Sequence, residues 1–283
     1  LLRARSPHNT LLVTERCNQR CVMCSQPPRP WHVDNFPHYR EALLLAEPRM
    51  TIGFTGGEPT MYLNELLETL KFGLTNRPDL RFHVLTNAQY FADVTPTQRK
   101  TIGDRRILWG VPMYSSDPKT HDDIVVLEGA FEQLLMGLRQ LLWAGASVEL
   151  RTVLLQANVE HLERLADFVV RHLAWVRVWA IMQLERIGYA KGRWNQLFVD
   201  TSTQFSQLEP TLLKSISHGV RARLYNFPLC TVPPEWRHIA DSSISDWKRR
   251  YLDGCADCGA REACTGFFEW YDESSGFAKV AAL

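Results

Sequence analysis

Along the first two thirds of the chain, short apolar, β-branched runs alternate with longer stretches in which leucines recur at helical spacing. The runs at 10–14, 51–55, 81–86, 107–111, 148–154 and 176–182 predict strands. Between them, Leu63, Leu66, Leu67, Leu70 and Leu74 share one helical face. Phe131, Leu134, Leu135, Leu138, Leu141 and Leu142 form a second stripe, ended by Gly145. Val159, Leu162, Leu165 and Val169 form a third, with Asn158 in the N-cap position. These stripes are core faces and need no cofactor to explain them. Alternating strands and helices predict an α/β fold with a parallel sheet and right-handed crossovers. An open doubly wound sheet and a sheet curled into a partial barrel fit the pattern equally. In both, ligands sit at the C-terminal ends of the strands. After Gln183 the pattern breaks into one helical stretch at 202–217, followed by irregular sequence rich in Pro, Trp and Cys. This places a domain boundary near residue 200, dividing the chain into 1–200 and 201–283.

Composition narrows the function class. The chain has 283 residues, 45% of them hydrophobic, enough for a sizeable core. Its net charge is +1, and the short basic runs Arg99-Lys100, Arg105-Arg106 and Lys248-Arg249-Arg250 read as solvated faces, so no nucleic-acid groove is predicted. No apolar run reaches the length of about 18 residues that a membrane helix needs. Leu1-Leu2 is followed at once by Arg3 and Arg5, which is not a signal peptide. The first residue is not Met, which is compatible with a fragment of a longer chain.

Seven cysteines, an odd number in local clusters, suit metal ligation in a reducing cytoplasm better than disulfides. They divide into Cys17, Cys21 and Cys24 near the start and Cys230, Cys255, Cys258 and Cys264 near the end. The first set stands at C-x3-C-x2-C, directly after the first predicted strand. Three thiolates from one tight loop can hold three corners of an iron–sulfur cube and leave its fourth iron open. A partial zinc site or a redox-sensing loop is the plainer alternative, although a closed zinc site would need a fourth ligand. In the second set, Cys255-x2-Cys258-x5-Cys264 is a compact run to which Cys230 adds a distant ligand. Four thiolates satisfy either a tetrahedral zinc or a [4Fe–4S] cube, and spacing alone does not decide.

Other candidates also lie at strand ends. Gly56-Gly57-Glu58-Pro59 follows the second strand. Paired glycines there let a ligand approach the backbone, and the carboxylate can take charge-assisted hydrogen bonds from an ammonium group. Asn87 closes the third strand and is either a ligand contact or a turn residue. Tyr114-Ser115-Ser116 follows the fourth, where hydroxyls contact a ligand or cap a helix. Arg151 lies in the fifth strand; its partner is a ligand carboxylate or a structural acid. Gln183 and Glu185 follow the sixth and are weak candidates to face substrate, Glu185 being the weak catalytic candidate. His121-Asp122 reads as a helix start rather than a proton-transfer pair.

The C-x3-C-x2-C loop followed by Thr-Gly-Gly-Glu-Pro at the second strand end resembles the radical S-adenosylmethionine (radical SAM) enzymes. The resemblance implies a partial (β/α)6 TIM-like barrel, a [4Fe–4S] cluster on Cys17, Cys21 and Cys24, and S-adenosylmethionine bound through its amino and carboxylate groups to the open iron. One electron, from a donor such as flavodoxin or ferredoxin, then releases a hydrogen-abstracting 5′-deoxyadenosyl radical. It further implies cofactor contacts from Met23, Gly56, Gly57, Glu58, Asn87, Ser115 and Arg151. The C-terminal cysteines resemble the auxiliary-cluster segment of SPASM and twitch domains, which implies a second [4Fe–4S] cluster. The chain departs from a full SPASM pattern, having Phe268 four positions after Cys264 and too few cysteines for two auxiliary clusters. Leu12–Cys17, Cys24–Pro28, Tyr225–Cys230, Ser243–Lys248 and Cys264–Phe268 resemble the radical SAM maturases of the His-Xaa-Ser system, HxsC. That resemblance implies a ribosomally made His-Xaa-Ser peptide as substrate and a second radical SAM enzyme as partner. Two other readings stay open. One is the same chemistry on RNA or a small molecule, with the near-neutral charge standing against RNA. The other is a non-catalytic peptide scaffold whose cysteines hold zinc.

Overall fold

The computed structural model describes residues 2, 3, 6, 9–92 and 94–283. Eight strands form one sheet: β1 (Asn9–Thr14), β2 (Thr51–Gly56), β3 (Arg81–Leu85), β4 (Ile107–Pro112), β5 (Ser147–Val153), β6 (Val178–Met182), β7 (Ala222–Tyr225) and β8 (Ala240–Asp241). The helices are α1 (Phe36–Leu45), α2 (Leu63–Asn76), α3 (Pro96–Ile102), α4 (Pro118–Val125), α5 (Ala130–Trp143), α6 (Leu162–His172), α7 (Tyr189–Leu197), α8 (Thr201–Gln204) and α9 (Glu209–Ser217). Strand order in the sheet is sequential from β1 to β8. The pairs β1–β2, β2–β3, β3–β4, β6–β7 and β7–β8 are parallel. A doubly wound sheet reverses its order at a switch point, whereas a barrel wall does not, so the order selects the partial-barrel alternative. β7 and β8 extend the expected six strands beyond residue 200. They have only 4 and 2 residues, too short for a periodic signal.

The chain divides into two compact units. The first comprises Leu1–Cys21, Gln26–Pro112 and Val125–Glu149. Its strands bury their apolar runs: Ile52 and Phe54, then Phe82 and Val84, then Ile107, Trp109 and Val111 are sealed from solvent. Burying each such side chain contributes about 1.5–3 kcal/mol. Leu66, Leu67 and Leu70 of α2 and Phe131, Leu134, Leu138 and Leu141 of α5 face that core, while Leu142 is exposed. Gly145 ends α5 in the left-handed region, φ 66°, and lets Ala146 N–H return to Leu141 O at 3.0 Å.

The second unit comprises Val22–Ser25, Met113–Ile124 and Leu150–Leu283. In it α6 packs on α9 through Leu162, Leu165, Ala166 and Val169, and Lys214 bridges Glu163 at 3.0 Å and Asp167 at 2.8 Å. Asn158 does not cap α6. It is buried, takes the Leu155 N–H at 2.9 Å and donates to Val153 O at 3.0 Å and Tyr114 O at 3.1 Å. A 3-10 turn, Val159–His161, separates it from the helix. Beyond β8, two short antiparallel strands, β9 (Arg249–Arg250) and β10 (Phe267–Phe268), frame the cysteine-rich segment. Among the described residues no helix is long and apolar enough to cross a membrane.

Candidate functional site

In the first unit the cysteine loop leaves the end of β1 and the Gly-Gly-Glu turn leaves β2 beside it. Gly57 N–H donates to Thr14 O and Glu58 N–H to Arg16 O, both at 2.7 Å, which carries the β1–β2 ladder up to Cys17. The two glycines are demanded by this backbone contact itself. A Cβ on Gly56 would lie 2.1 Å from Thr14 O, and one on Gly57 would lie 2.0 Å from Arg16 O. Gly56 also holds φ 144°, a conformation L side chains rarely adopt.

Glu58 is buried at 1% exposure, and its carboxylate gathers the neighbouring strand ends. Oε1 accepts from Thr60 N at 2.9 Å, Thr86 Oγ1 at 2.7 Å and the Thr60 hydroxyl; Oε2 accepts from Asn87 N at 2.6 Å. Burial pushes its pKa above the ordinary carboxylate value, and the donors on Asn87, Thr60 and Thr86 pull it back. Asn87 extends the network to the cysteine loop: its Nδ2 donates to Asn18 Oδ1 at 2.8 Å, and the Asn18 amide donates to Gln89. Between the first two cysteines, Gln19 N–H points at Cys17 Sγ at 3.4 Å, and Arg20 N–H is held by Val125 O at 3.1 Å. Asn18, Thr60 and Gln89 were not among the sequence candidates, because uncharged side chains next to a motif carry no signal of their own. Burial and the Glu58 and Cys17 charges raise the phenol pKa of Tyr90, another residue the sequence reading passed over.

The second unit holds Met23 and Cys24, at the end of the loop. Val22 N–H bonds Ile124 O at 2.9 Å, and Cys24 O accepts Tyr189 N–H at 2.9 Å. Gly188 makes that contact feasible. It has φ 58°, and a Cβ there would lie 2.2 Å from Cys24 O. Nothing in the sequence pairs Gly188 with Cys24. Met23 is buried at 6% exposure. Ser115 is buried, and its Oγ takes Asp117 N–H at 3.0 Å, the helix-start geometry of the plainer reading. Arg151 is half-buried, and its carbonyl takes Met113 N–H at 2.9 Å. Gln183 is occupied structurally, donating to Val199 O at 3.0 Å and Thr201 Oγ1 at 3.3 Å and accepting Leu184 N–H at 2.8 Å. Glu185 pairs with Lys248, Nζ lying 3.2 Å from Oε2. Burial raises the Glu185 pKa against that lysine's pull.

His121 lies within α4, buried at 2% exposure, and its Nδ1 accepts Tyr114 N–H at 3.4 Å. Desolvation lowers its pKa from 6.5 to about 4. The unfolded chain therefore takes up this proton near its ordinary pKa, while the folded chain resists until about 4. Stability from this group is complete above the unfolded value and is lost as pH falls toward the folded one. Denaturant unfolding should show about 2 kcal/mol less stability at pH 5 than at pH 7 from His121 alone. His121→Gln should lack that share of the slope; an unchanged slope would contradict a buried neutral imidazole.

At the end of the second unit the remaining four cysteines meet around one cavity of about 140 Å³, lined also by Tyr251, Leu252 and residues 280–283. Cys264 Sγ accepts N–H groups from Leu229 and Gly266, each at 3.3 Å, and Cys258 Sγ accepts from Leu283 at 3.4 Å. Burial, with Cys264 and Cys255 nearby, pushes the Cys230 thiol up to about 11. None of the seven cysteines is in a disulfide, and all are partly exposed. Among the described residues, no three His, Cys, Asp or Glu side chains are gathered tightly enough to hold one metal ion. The four sulfurs line a space rather than closing on a point.

A three-thiol loop stitched to a Gly-Gly-Glu turn at adjoining strand ends of a sequential parallel sheet is a specific arrangement. The family model described as Radical SAM superfamily matches residues 11–169, more than half of the chain. The chain belongs to the Radical SAM superfamily. No curated protein matches it. Among solved structures it is similar to Streptococcus suis SuiB bound to S-adenosylmethionine, with TM-score 0.65 and 14% identity over 82% of this chain and 53% of that one. It is also similar to SuiB bound to its precursor peptide SuiA, with TM-score 0.62 and 12% identity over 78% of this chain and 49% of that one. A third is native anSMEcpe with bound AdoMet and Cp18Cys peptide, with TM-score 0.56 and 14% identity over 76% of this chain and 62% of that one. At these identities the likeness shows the fold. The chain spans about half the length of the SuiB structures.

Membership of the Radical SAM superfamily implies a [4Fe–4S] cluster and S-adenosylmethionine. The donor chemistry fits the cluster: three partly exposed thiols stand at C-x3-C-x2-C spacing, and in the first unit the Gln19 N–H is aimed at the Cys17 sulfur.

Proposed function

We propose that this chain is a radical SAM maturase that oxidatively modifies a ribosomally made peptide, of the His-Xaa-Ser repeat type. Cys17, Cys21 and Cys24 would hold the radical-generating cluster. Gly56, Gly57, Glu58, Asn87, Met23, Ser115 and Arg151 are the proposed contacts of S-adenosylmethionine. Bound there, cluster and cofactor supply the radical that abstracts substrate hydrogen. The protein's part is placement. The Thr14–Gly57 and Arg16–Glu58 hydrogen bonds set the cysteine loop against the Gly-Gly-Glu turn. Glu58 Oε2, with one N–H from Asn87, keeps acceptor capacity for an ammonium group.

The four-cysteine cavity carries the peptide reading. Four thiolates around a space of this kind match a [4Fe–4S] cube, and a second cluster can take up the electron left after hydrogen abstraction. SuiB and anSMEcpe, which share the fold, are seen with peptides bound. If Cys17, Cys21 and Cys24 are all replaced by Ala, about four irons per chain should remain on Cys230, Cys255, Cys258 and Cys264. One zinc and no iron would reject the second cluster and leave the first untouched. The substrate is tested by co-expressing a His-Xaa-Ser repeat peptide with this protein, alone and with a second radical SAM enzyme, and reading the peptide mass. The expected change is a loss of two hydrogens per event, as a crosslink or an unsaturation. A mass gain would reject oxidation. An unmodified peptide, with turnover on RNA or a free amino acid instead, would overturn the peptide assignment.

A further inference from the structure

One wall of the cysteine cavity is formed by the stretch of chain at 280–283, and several independent contacts hold that stretch in place. Just before it, Phe277 is buried among Phe198, Phe267 and Tyr271, with ring centroids 5.2, 6.3 and 5.8 Å away. Phe277 N–H donates to the Tyr271 hydroxyl at 2.8 Å. Ala278 N–H then bonds Asp200 Oδ2, and Lys279 N–H bonds Ser202 Oγ, both at 3.0 Å. Asp200 is already fixed as the cap of α8, accepting Ser202 N–H at 2.9 Å. From this anchor the chain runs along the cavity, and all of Val280, Ala281, Ala282 and Leu283 line it. At the far side Gly259 N–H, next to Cys258, takes Leu283 O at 2.8 Å.

The segment also touches a sulfur. Leu283 N–H points at Cys258 Sγ at 3.4 Å. Leu229 and Gly266 supply the N–H groups on Cys264. Four thiolates around one metal group concentrate negative charge, and N–H dipoles directed at the sulfurs offset part of it. Groups that bond to metal ligands in this way govern affinity and, for clusters, reduction potential.

We propose that Val280–Leu283 is a strap that closes the four-cysteine site and retains its metal group by main-chain N–H donation from Leu283 to Cys258. The proposal rests on the reading of those cysteines as a metal site. Its test uses the full chain with Cys17, Cys21 and Cys24 replaced by Ala, so that only the second site is counted. Proline has no N–H, so Leu283→Pro removes this donor. Leu283→Ala trims the side chain and keeps the donor. Metal content is measured first. Release is then followed with bathophenanthroline disulfonate for iron and pyridylazoresorcinol for zinc. Leu283→Pro should release metal about 10- to 100-fold faster than the parent, and Leu283→Ala at the parent's rate. Equal rates in Leu283→Pro and the parent would overturn the strap. So would equally fast release from Leu283→Ala, since side-chain cover would then be the cause. A parent that holds no metal would instead overturn the metal-site reading on which the strap depends.

Discussion

Cys21→Ala should leave a protein that cannot cleave S-adenosylmethionine. Two thiolates do not hold an iron–sulfur cube in place, and Cys21 is the middle cysteine of a loop whose backbone is pinned immediately before it, at Arg20 N–H to Val125 O, 3.1 Å. The rest of the fold should persist, because Cys21 is partly exposed and packs no core. The loss should therefore appear as about four fewer irons per chain and no 5′-deoxyadenosine, with little change in the thermal transition. Cleavage at the parent's rate in this variant would remove the loop from the chemistry.

A single methyl group at Gly57 should be nearly as damaging, by a different route. The added Cβ of Gly57→Ala would stand 2.0 Å from the Arg16 carbonyl oxygen and 3.0 Å from Glu15 C, both backbone atoms. No rotamer relieves that contact, so the β1 exit and the β2 exit must separate. Their two 2.7 Å hydrogen bonds and the approach of Glu58 to the loop would go with them. Overpacking of this kind costs about 3 kcal/mol or more. In a chain of this size that lowers the thermal midpoint by about 6–12 °C. Iron at the first site should fall while the four-cysteine site keeps its metal. Gly192→Ala is the control, since a Cβ in that exposed turn of α7 meets nothing within 4 Å. It should be neutral or gain up to about 1 kcal/mol. A Gly57→Ala protein as stable and as iron-rich as the parent would show that the turn tolerates separation.

The contrast between these two residues shows what was legible in the sequence. Cys21 announces itself through spacing. Gly57 was read as making room for a ligand, but the nearest atoms belong to the chain's own backbone. The strands from β1 to β6 were legible as short apolar, β-branched runs of at least five residues, as with Ile52 and Phe54 or Ile107, Trp109 and Val111, which the fold buries. β7 and β8 were not, being stabilised by sheet neighbours rather than by a pattern of their own. Asn158 looked like a helix cap by position, yet its amide serves three backbone groups in a buried loop. Glu58 was legible as a carboxylate after paired glycines, while its donors Thr60, Thr86 and Asn87 meet it only through the fold. The four C-terminal cysteines were likewise visible in spacing. The strap proposed over them was not, because Leu283 acts through its main-chain N–H, a group every residue but proline carries.

The proposed activity of this protein is oxidation of a peptide with S-adenosylmethionine and an iron–sulfur cluster. The most direct test incubates anaerobically purified, iron-loaded protein with dithionite and S-adenosylmethionine, with and without a His-Xaa-Ser repeat peptide, and quantifies 5′-deoxyadenosine alongside peptide mass. The account predicts 5′-deoxyadenosine formation matched by a peptide lighter by two hydrogens per event. Absence of 5′-deoxyadenosine from protein carrying a full first cluster would contradict it.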